Sequence, residues 1–307
     1  VGVFDGLVEA AFDPDGPLAP SYAVLVQQAG EVVVERYGTL PSGRPVDADT
    51  PLRSWSMAKS MLHAAMGLLV EDGAVRCDQP APVPHWRADD RKAITVEQLL
   101  TMRDGLDFRE DYVDEEVSDT IEMLFGDGRD DVAGYAIDRP LAVEPGTRFN
   151  YSSGTTNILS SIVADCVGRG EAYERFLRDR LFGPLGMPSA TPGLDGTGTW
   201  VASSYVRATA RDFARFGTVY LHRGADVLPD WWVDDGIRPR SYDEESDSEY
   251  GAQWWIPREG VFEARGYEGQ SITVCPAKEL VVVRLGMTPA ERNGPLRAWR
   301  AEVVDAA

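Results

Sequence analysis

Two β-branched hairpin signatures stand at opposite ends of this chain, so whatever lies between them must fit a sheet that both ends build. Residues 22–26 (Tyr-Ala-Val-Leu-Val) and 31–36 (Glu-Val-Val-Val-Glu-Arg) flank Ala29-Gly30 and predict one antiparallel hairpin. Residues 271–275 and 280–285, turning through Pro276-Ala277-Lys278-Glu279, predict another. The sequence between them reads as mostly helical. Residues 56–71 contain no proline and end at Asp72-Gly73, a C-cap signal, and 95–102, 155–167, 171–182 and 209–222 share the helical period. The acidic run 243–249 reads as a solvated loop. The expected fold class is therefore α/β in the α+β sense: an antiparallel sheet domain from residues 1–79 and 200–307, flanked by helices, with a mainly helical domain inserted over 80–199. The Pro- and Gly-rich stretches 80–84 and 188–198 mark the expected crossings.

Charge narrows the partners. The 307 residues include 50 acidic and 30 basic side chains, a formal net charge of −20. A field of that sign repels phosphate backbones and anionic headgroups, so neither nucleic acid nor a membrane surface is an expected partner. Only Lys59, Lys92 and Lys278 are lysines, a bias that a GC-rich genome or a salt-adapted host also produces. No apolar run approaches the ~20 residues of a membrane helix. No basic segment followed by an apolar one opens the sequence, which gives a cytoplasmic expectation. Cys77, Cys166 and Cys275 are widely spaced and odd in number, and are expected to be three buried free thiols.

The chemistry concentrates in Arg53-Ser-Trp-Ser-Met-Ala-Lys-Ser, residues 53–60. Residues three apart share a helix face, so Ser56 and Lys59 can meet. A serine in the first turn also lies near unpaired N–H groups and the positive helix end. Lysine titrates near ~10.4, and accepting a proton at neutral pH requires roughly 4 kcal/mol of help from burial and polar neighbours. A lysine one turn inside an apolar helix is placed to receive it. Serine–lysine spacings of this kind also arise by chance, but a second segment, 144–157, sets Tyr151 just before a helix with Ser153 two residues on. Tyr151 is a phenol able to relay a proton between Ser56, Lys59 and a leaving group, or a buried core tyrosine. A third segment, Arg265-Gly-Tyr-Glu-Gly-Gln, leads into a strand. Gly266 and Gly269 permit a close backbone approach, and the N–H of Gln270 can complete an oxyanion hole with that of Ser56.

These segments, in this order and spacing, resemble the serine β-lactamase and penicillin-binding superfamily, in particular its class C-like esterase and 6-aminohexanoate-dimer (nylon oligomer) hydrolase branch. Ala-Thr-Ala-Arg-Asp-Phe-Ala-Arg-Phe-Gly (208–217) and Tyr-Gly-Ala-Gln-Trp-Trp (250–255) add to the likeness, which spans roughly residues 20–300. The resemblance implies a β-lactamase/transpeptidase-like fold, an acylated Ser56, Lys59 and Tyr151 as its acid/base partners, and no cofactor or metal. Ser153 replaces the usual asparagine of Tyr-x-Asn. Tyr267-Glu268-Gly269 replaces Lys-Thr-Gly or His-x-Gly, and that pair disfavours a substrate carboxylate. The acidic segment 107–116 resembles the loop over the active site of nylon-oligomer hydrolases and aligns Tyr112 with a substrate-contacting tyrosine.

The expected activity is that of a serine hydrolase on small carboxylic esters or amides, with Tyr112, Ser153, Tyr267, Glu268 and Gly269 binding substrate. A D-alanyl-D-alanine carboxypeptidase or β-lactamase on the same fold is the alternative, followed by a non-catalytic binding module. Of the three histidines, His63 is two helical turns from Ser56 and too distant to serve it. The chain has no G-x-S-x-G elbow, H-E-x-x-H, Walker loop or dinucleotide fingerprint. Trp231, Trp232, Trp254 and Trp255 are expected in the core or along a cleft.

Overall fold

The computed structural model describes residues 2–111 and 118–307. Helix α1 (Asp5–Phe12) precedes strands β1 (Ser21–Gln28) and β2 (Glu31–Tyr37), the expected first hairpin. The short strand β3 (Leu52–Arg53) leads through a 3₁₀ turn, Trp55–Met57, into α2 (Ala58–Glu71). The middle of the chain carries α3 (Val96–Leu100), α4 (Asp119–Phe125), α5 (Val132–Ile137), α6 (Ser153–Val167) and α7 (Glu171–Phe176). Strands β4 (Thr191–Pro192) and β5 (Val206–Ala208) then precede α8 (Ala210–Leu221) and α9 (Asp230–Gly236). The remainder is β6 (Ser241–Asp243), β7 (Ser248–Tyr250), β8 (Trp255–Arg258), β9 (Val261–Gly266), β10 (Gln270–Cys275), β11 (Leu280–Gly286) and α10 (Asn293–Ala306).

Eight of these strands form one antiparallel sheet in the order β2-β1-β11-β10-β9-β8-β7-β6, so the two ends of the chain pair at β1 and β11. Strands β3, β5 and β4 form a small second sheet. Side chains alternate across a strand, and the large sheet uses both faces. Val24, Val26, Leu280 and Val282 pack with Val8, Trp299 and Val303 of the terminal helices, whereas Ala23, Leu25, Val281 and Val283 join the main core with α2 and α8. Gly217 lets α8 lie close to the sheet, since a β-carbon there would come within 2.7 Å of Val281 Cγ1 and 2.8 Å of Ile272 Cγ2.

Three expectations need correction. Residues 243–249 are not a loop throughout: Ser241–Asp243 and Ser248–Tyr250 pair as a hairpin at the sheet edge. A polar edge strand exposes one row of backbone groups, so short charged segments are accommodated there. Of the three free thiols only Cys275 is buried; Cys77 is half-buried and Cys166 is exposed at the end of α6. The single helix expected over 171–182 stops at Phe176, and Leu177–Phe182 continues as a wider π turn. No helix among the described residues is long and apolar enough to cross a membrane.

Candidate active site

Ser56 sits in the 3₁₀ turn that precedes α2, one residue after Trp55, whose φ of 46° lies in the left-handed region. For a tryptophan this conformation costs about 1–3 kcal/mol and persists only where neighbours enforce it. They are present. The Arg53 guanidinium lies 4.6 Å from the centre of the indole, and Tyr267 meets the ring edge-on at 5.7 Å. The indole N–H donates to Glu268 Oε2 at 3.2 Å, and Ser54 Oγ donates to the Trp55 carbonyl at 2.9 Å. Ser54 N also donates to Val206 O at 2.8 Å, tying the turn to the small sheet.

Lys59 follows one turn later and is buried. Its ammonium donates to Ser153 Oγ at 2.8 Å and to Ser203 O at 3.3 Å, and lies 4.9 Å from the centre of the Tyr151 ring. Burial lowers the ammonium to about 8, with Glu110 pulling the other way. The Tyr151 phenol lies close enough to Ser56 for that hydroxyl to favour its ionised form. Burial first, then the Glu110 charge, raises the phenol well above its ordinary value. Its ring packs against Trp255 at 5.2 Å and Tyr250 at 6.0 Å, both from segment 250–255. Lys59 and Tyr151 are thus neighbours, and Ser56 lies one helical turn before Lys59.

Ser153 opens α6. Ser152 caps that helix by accepting from Thr155 N at 3.0 Å, while Glu110 accepts from both Ser153 N and Ser153 Oγ at 2.7 Å. A carboxylate on the unpaired donors of a helix start is favourably placed. Thr120 Oγ1 donates to the same carboxylate at 2.7 Å, so Glu110 joins α4, α6 and Lys59. Sequence reasoning missed Glu110 and Ser203. The only signal is the acidic character of 107–116; Tyr112, the residue expected to bind substrate there, lies outside the described residues.

The turn Tyr267–Gly269 and the first residue of β10, Gln270, lie against the Ser56 turn. A β-carbon on Gly266 would fall 2.4 Å from Ser54 O, so only glycine allows that approach. All three carbonyls of the turn are held. Gln270 Nε2 donates to Tyr267 O at 2.9 Å, and Arg284 donates to Glu268 O at 3.0 Å and Gly269 O at 3.1 Å. Tyr267 is exposed beside the site, and Glu268 has φ 60°. Of the tryptophans, Trp254 is core, Trp232 stacks on His63 at 4.7 Å, Trp231 is exposed and Trp255 borders Tyr151. His63 is buried with Nδ1 2.7 Å from Tyr220 OH, away from this chemistry.

Comparison with known proteins identifies the family and the fold. The family profile described as Beta-lactamase matches residues 10–305. The 6-aminohexanoate-dimer hydrolase of Paenarthrobacter ureafaciens is 30% identical over 295 residues, covering 87% of this chain and 72% of that protein. Two solved structures share the fold. The octameric penicillin-binding protein homologue from Pyrococcus abyssi superposes with TM-score 0.77 at 19% identity, over 98% of this chain and 76% of that one. The D-amino acid amidase from Ochrobactrum anthropi SV3 gives 0.74 at 17% identity, over 99% and 97%. With a profile match across nearly its whole length and a curated relative at this identity, the chain belongs to the Beta-lactamase family.

Proposed function

We propose that this protein is a serine hydrolase that cleaves small carboxylic esters or amides through an acyl-enzyme on Ser56. The observation that carries the reading is the buried Lys59 ammonium, one helical turn after Ser56 and 4.9 Å from the centre of the Tyr151 ring, with burial lowering it to about 8. A lysine so placed is neutral in a substantial fraction near pH 8 and can take the Ser56 proton, directly or through Tyr151. Ser56 Oγ bonds to the substrate carbonyl carbon, and the N–H groups of Ser56 and Gln270 receive the oxyanion. The bond to the leaving alcohol or amine then breaks as Tyr151 or Lys59 returns the proton. Water releases the acid by the reverse relay. An oxyanion donor of this kind supplies about 3–4 kcal/mol.

Amides are included because the curated relative is a 6-aminohexanoate-dimer hydrolase and a fold neighbour is a D-amino acid amidase. Efficient turnover of carboxylate-bearing lactams is not expected, since Tyr267 and Glu268 stand where a lysine or histidine would receive that group. In this reading Ser56 belongs to the sheet domain of 1–79 and 200–307, Tyr151 to the inserted domain of 80–199, and the substrate binds between them. Tyr112, Ser153, Tyr267, Glu268 and Gly269 form its binding surround. A Ser56→Ala variant assayed on p-nitrophenyl esters tests the reading: turnover falls by at least about 10³-fold, and retention of the wild-type rate would sink it.

A further inference from the structure

Beside Ser56 lies a cavity of about 240 Å³. Trp55 and Tyr267 contribute to it from the Ser56 turn and the 267–269 turn, and Ile121, Leu124 and Phe125 contribute from α4. Thr120 and Ser204 complete the lining; Thr120 already donates its hydroxyl to Glu110, and the Ser204 hydroxyl lies 3.0 Å from that of Ser203. No charged side chain lines the cavity among the described residues. Neither Lys59 nor Tyr151, the two groups able to protonate a leaving group, lines it either.

That asymmetry assigns the cavity. A tetrahedral carbon on Ser56 Oγ carries an oxyanion, a leaving group and an acyl substituent. The leaving group must face its proton donor, on the Tyr151 side, so the substituent directed away from Tyr151 is the acyl group. We propose that this cavity receives the acyl portion of the substrate and selects an uncharged, apolar acid. Its volume, set against ~30 Å³ for a water-sized group, admits about four to eight carbons. Burying a terminal carboxylate among Trp55, Ile121 and Leu124 leaves it unpaired, which is costly, and the Glu268 carboxylate, held by the Trp55 indole, repels it further. The inference rests on the acyl-enzyme reading above and adds to it the class of acid transferred.

The test holds the leaving group constant and varies the acid. Initial rates are measured with p-nitrophenyl acetate, butyrate and hexanoate, and with the p-nitrophenyl monoester of adipic acid, which matches hexanoate in length but ends in a carboxylate. Each methylene that enters the cavity is expected to raise kcat/KM about fourfold, and the adipate monoester is expected to fall at least tenfold below hexanoate. Ile121→Trp, which fills the cavity, is expected to lower the hexanoate-to-acetate ratio at least tenfold. Phe125→Ala, at a largely exposed position and hence tolerated by the fold, lowers the same ratio severalfold. A flat or falling chain-length series with Ser56-dependent turnover overturns the cavity assignment alone, as does an unchanged ratio in both variants. Turnover that survives Ser56→Ala, or no turnover of any ester, overturns the acyl-enzyme reading as well.

Discussion

Lys59 and Glu110 share one hydroxyl: the ammonium donates to Ser153 Oγ at 2.8 Å, and that hydroxyl donates to Glu110 Oε1 at 2.7 Å. A serine can accept from one partner while donating to another, so it transmits orientation from carboxylate to amine. Glu110 in turn fixes the start of α6 and hence the segment that carries Tyr151. Lys59 and the segment carrying Tyr151, the proposed base and its phenol partner, are thereby positioned by one carboxylate from a loop.

The same arrangement sets a pH dependence. The proposed mechanism requires neutral Lys59, so kcat/KM is expected to rise with pH and level off above about 8. The Glu110 charge favours the protonated amine. Glu110→Gln therefore moves the rising limb to lower pH, even though loss of the charged hydrogen bonds to Ser153 lowers the plateau by about 10–100-fold. A pH–rate profile of the two proteins reads both effects. A limb that stays in place would show that Glu110 acts only as a helix cap.

Stability depends on a buried charge cluster behind the site. Glu263 is paired with Arg265 at 2.5 Å and Arg300 at 3.1 Å, and accepts from Thr273 at 2.8 Å. Burial opposes its ionisation, but the two arginines prevail and hold it near 2. Glu263→Ala leaves two arginines in low-dielectric surroundings and is expected to cost about 3–5 kcal/mol in denaturant unfolding. Glu35→Ala, which removes a half-buried partner of the exposed Arg211, is expected to cost about 1 kcal/mol or less in the same measurement.

Asp104 gives a second pH signature. It is buried, accepts from Leu106 N and Thr155 Oγ1, and burial raises its carboxyl to about 6. Between its unfolded value of 3.8 and about 6 the folded protein binds the proton more tightly than the unfolded chain, so this contribution to stability falls as pH rises through that window. The loss amounts to about 3 kcal/mol by neutral pH. Asp104→Asn removes it, and the variant is expected to gain on the wild type by that amount between about pH 4 and pH 7. Parallel unfolding curves with no pH-dependent gap would contradict this.

The parts legible in the sequence were those fixed by local rules. Val24, Leu25 and Val26 alternate between the two faces of a hairpin, and the Ser56–Lys59 spacing closes one helical turn whatever the rest of the chain does. The placement of Tyr151 beside Lys59 was foreseen because its surroundings match a known pattern. Glu110 was not, because its contact with Ser153 spans 43 residues and depends on the path of a loop. Ser203 contributes only a carbonyl to Lys59, which no side-chain pattern records. The 241–250 hairpin escaped for a different reason: strands of three residues with Tyr242 and Glu249 facing out and Asp243 and Ser248 on the opposite face carry no apolar alternation to detect.

The most direct measurement is intact mass after brief exposure to a p-nitrophenyl ester, followed by peptide mapping of any adduct. Wild-type protein is expected to gain one acyl mass on the peptide containing Ser56, with slower loss of that mass in Tyr151→Phe and none gained in Ser56→Ala. Turnover with no adduct, or an adduct mapped to another side chain, would contradict catalysis through Ser56.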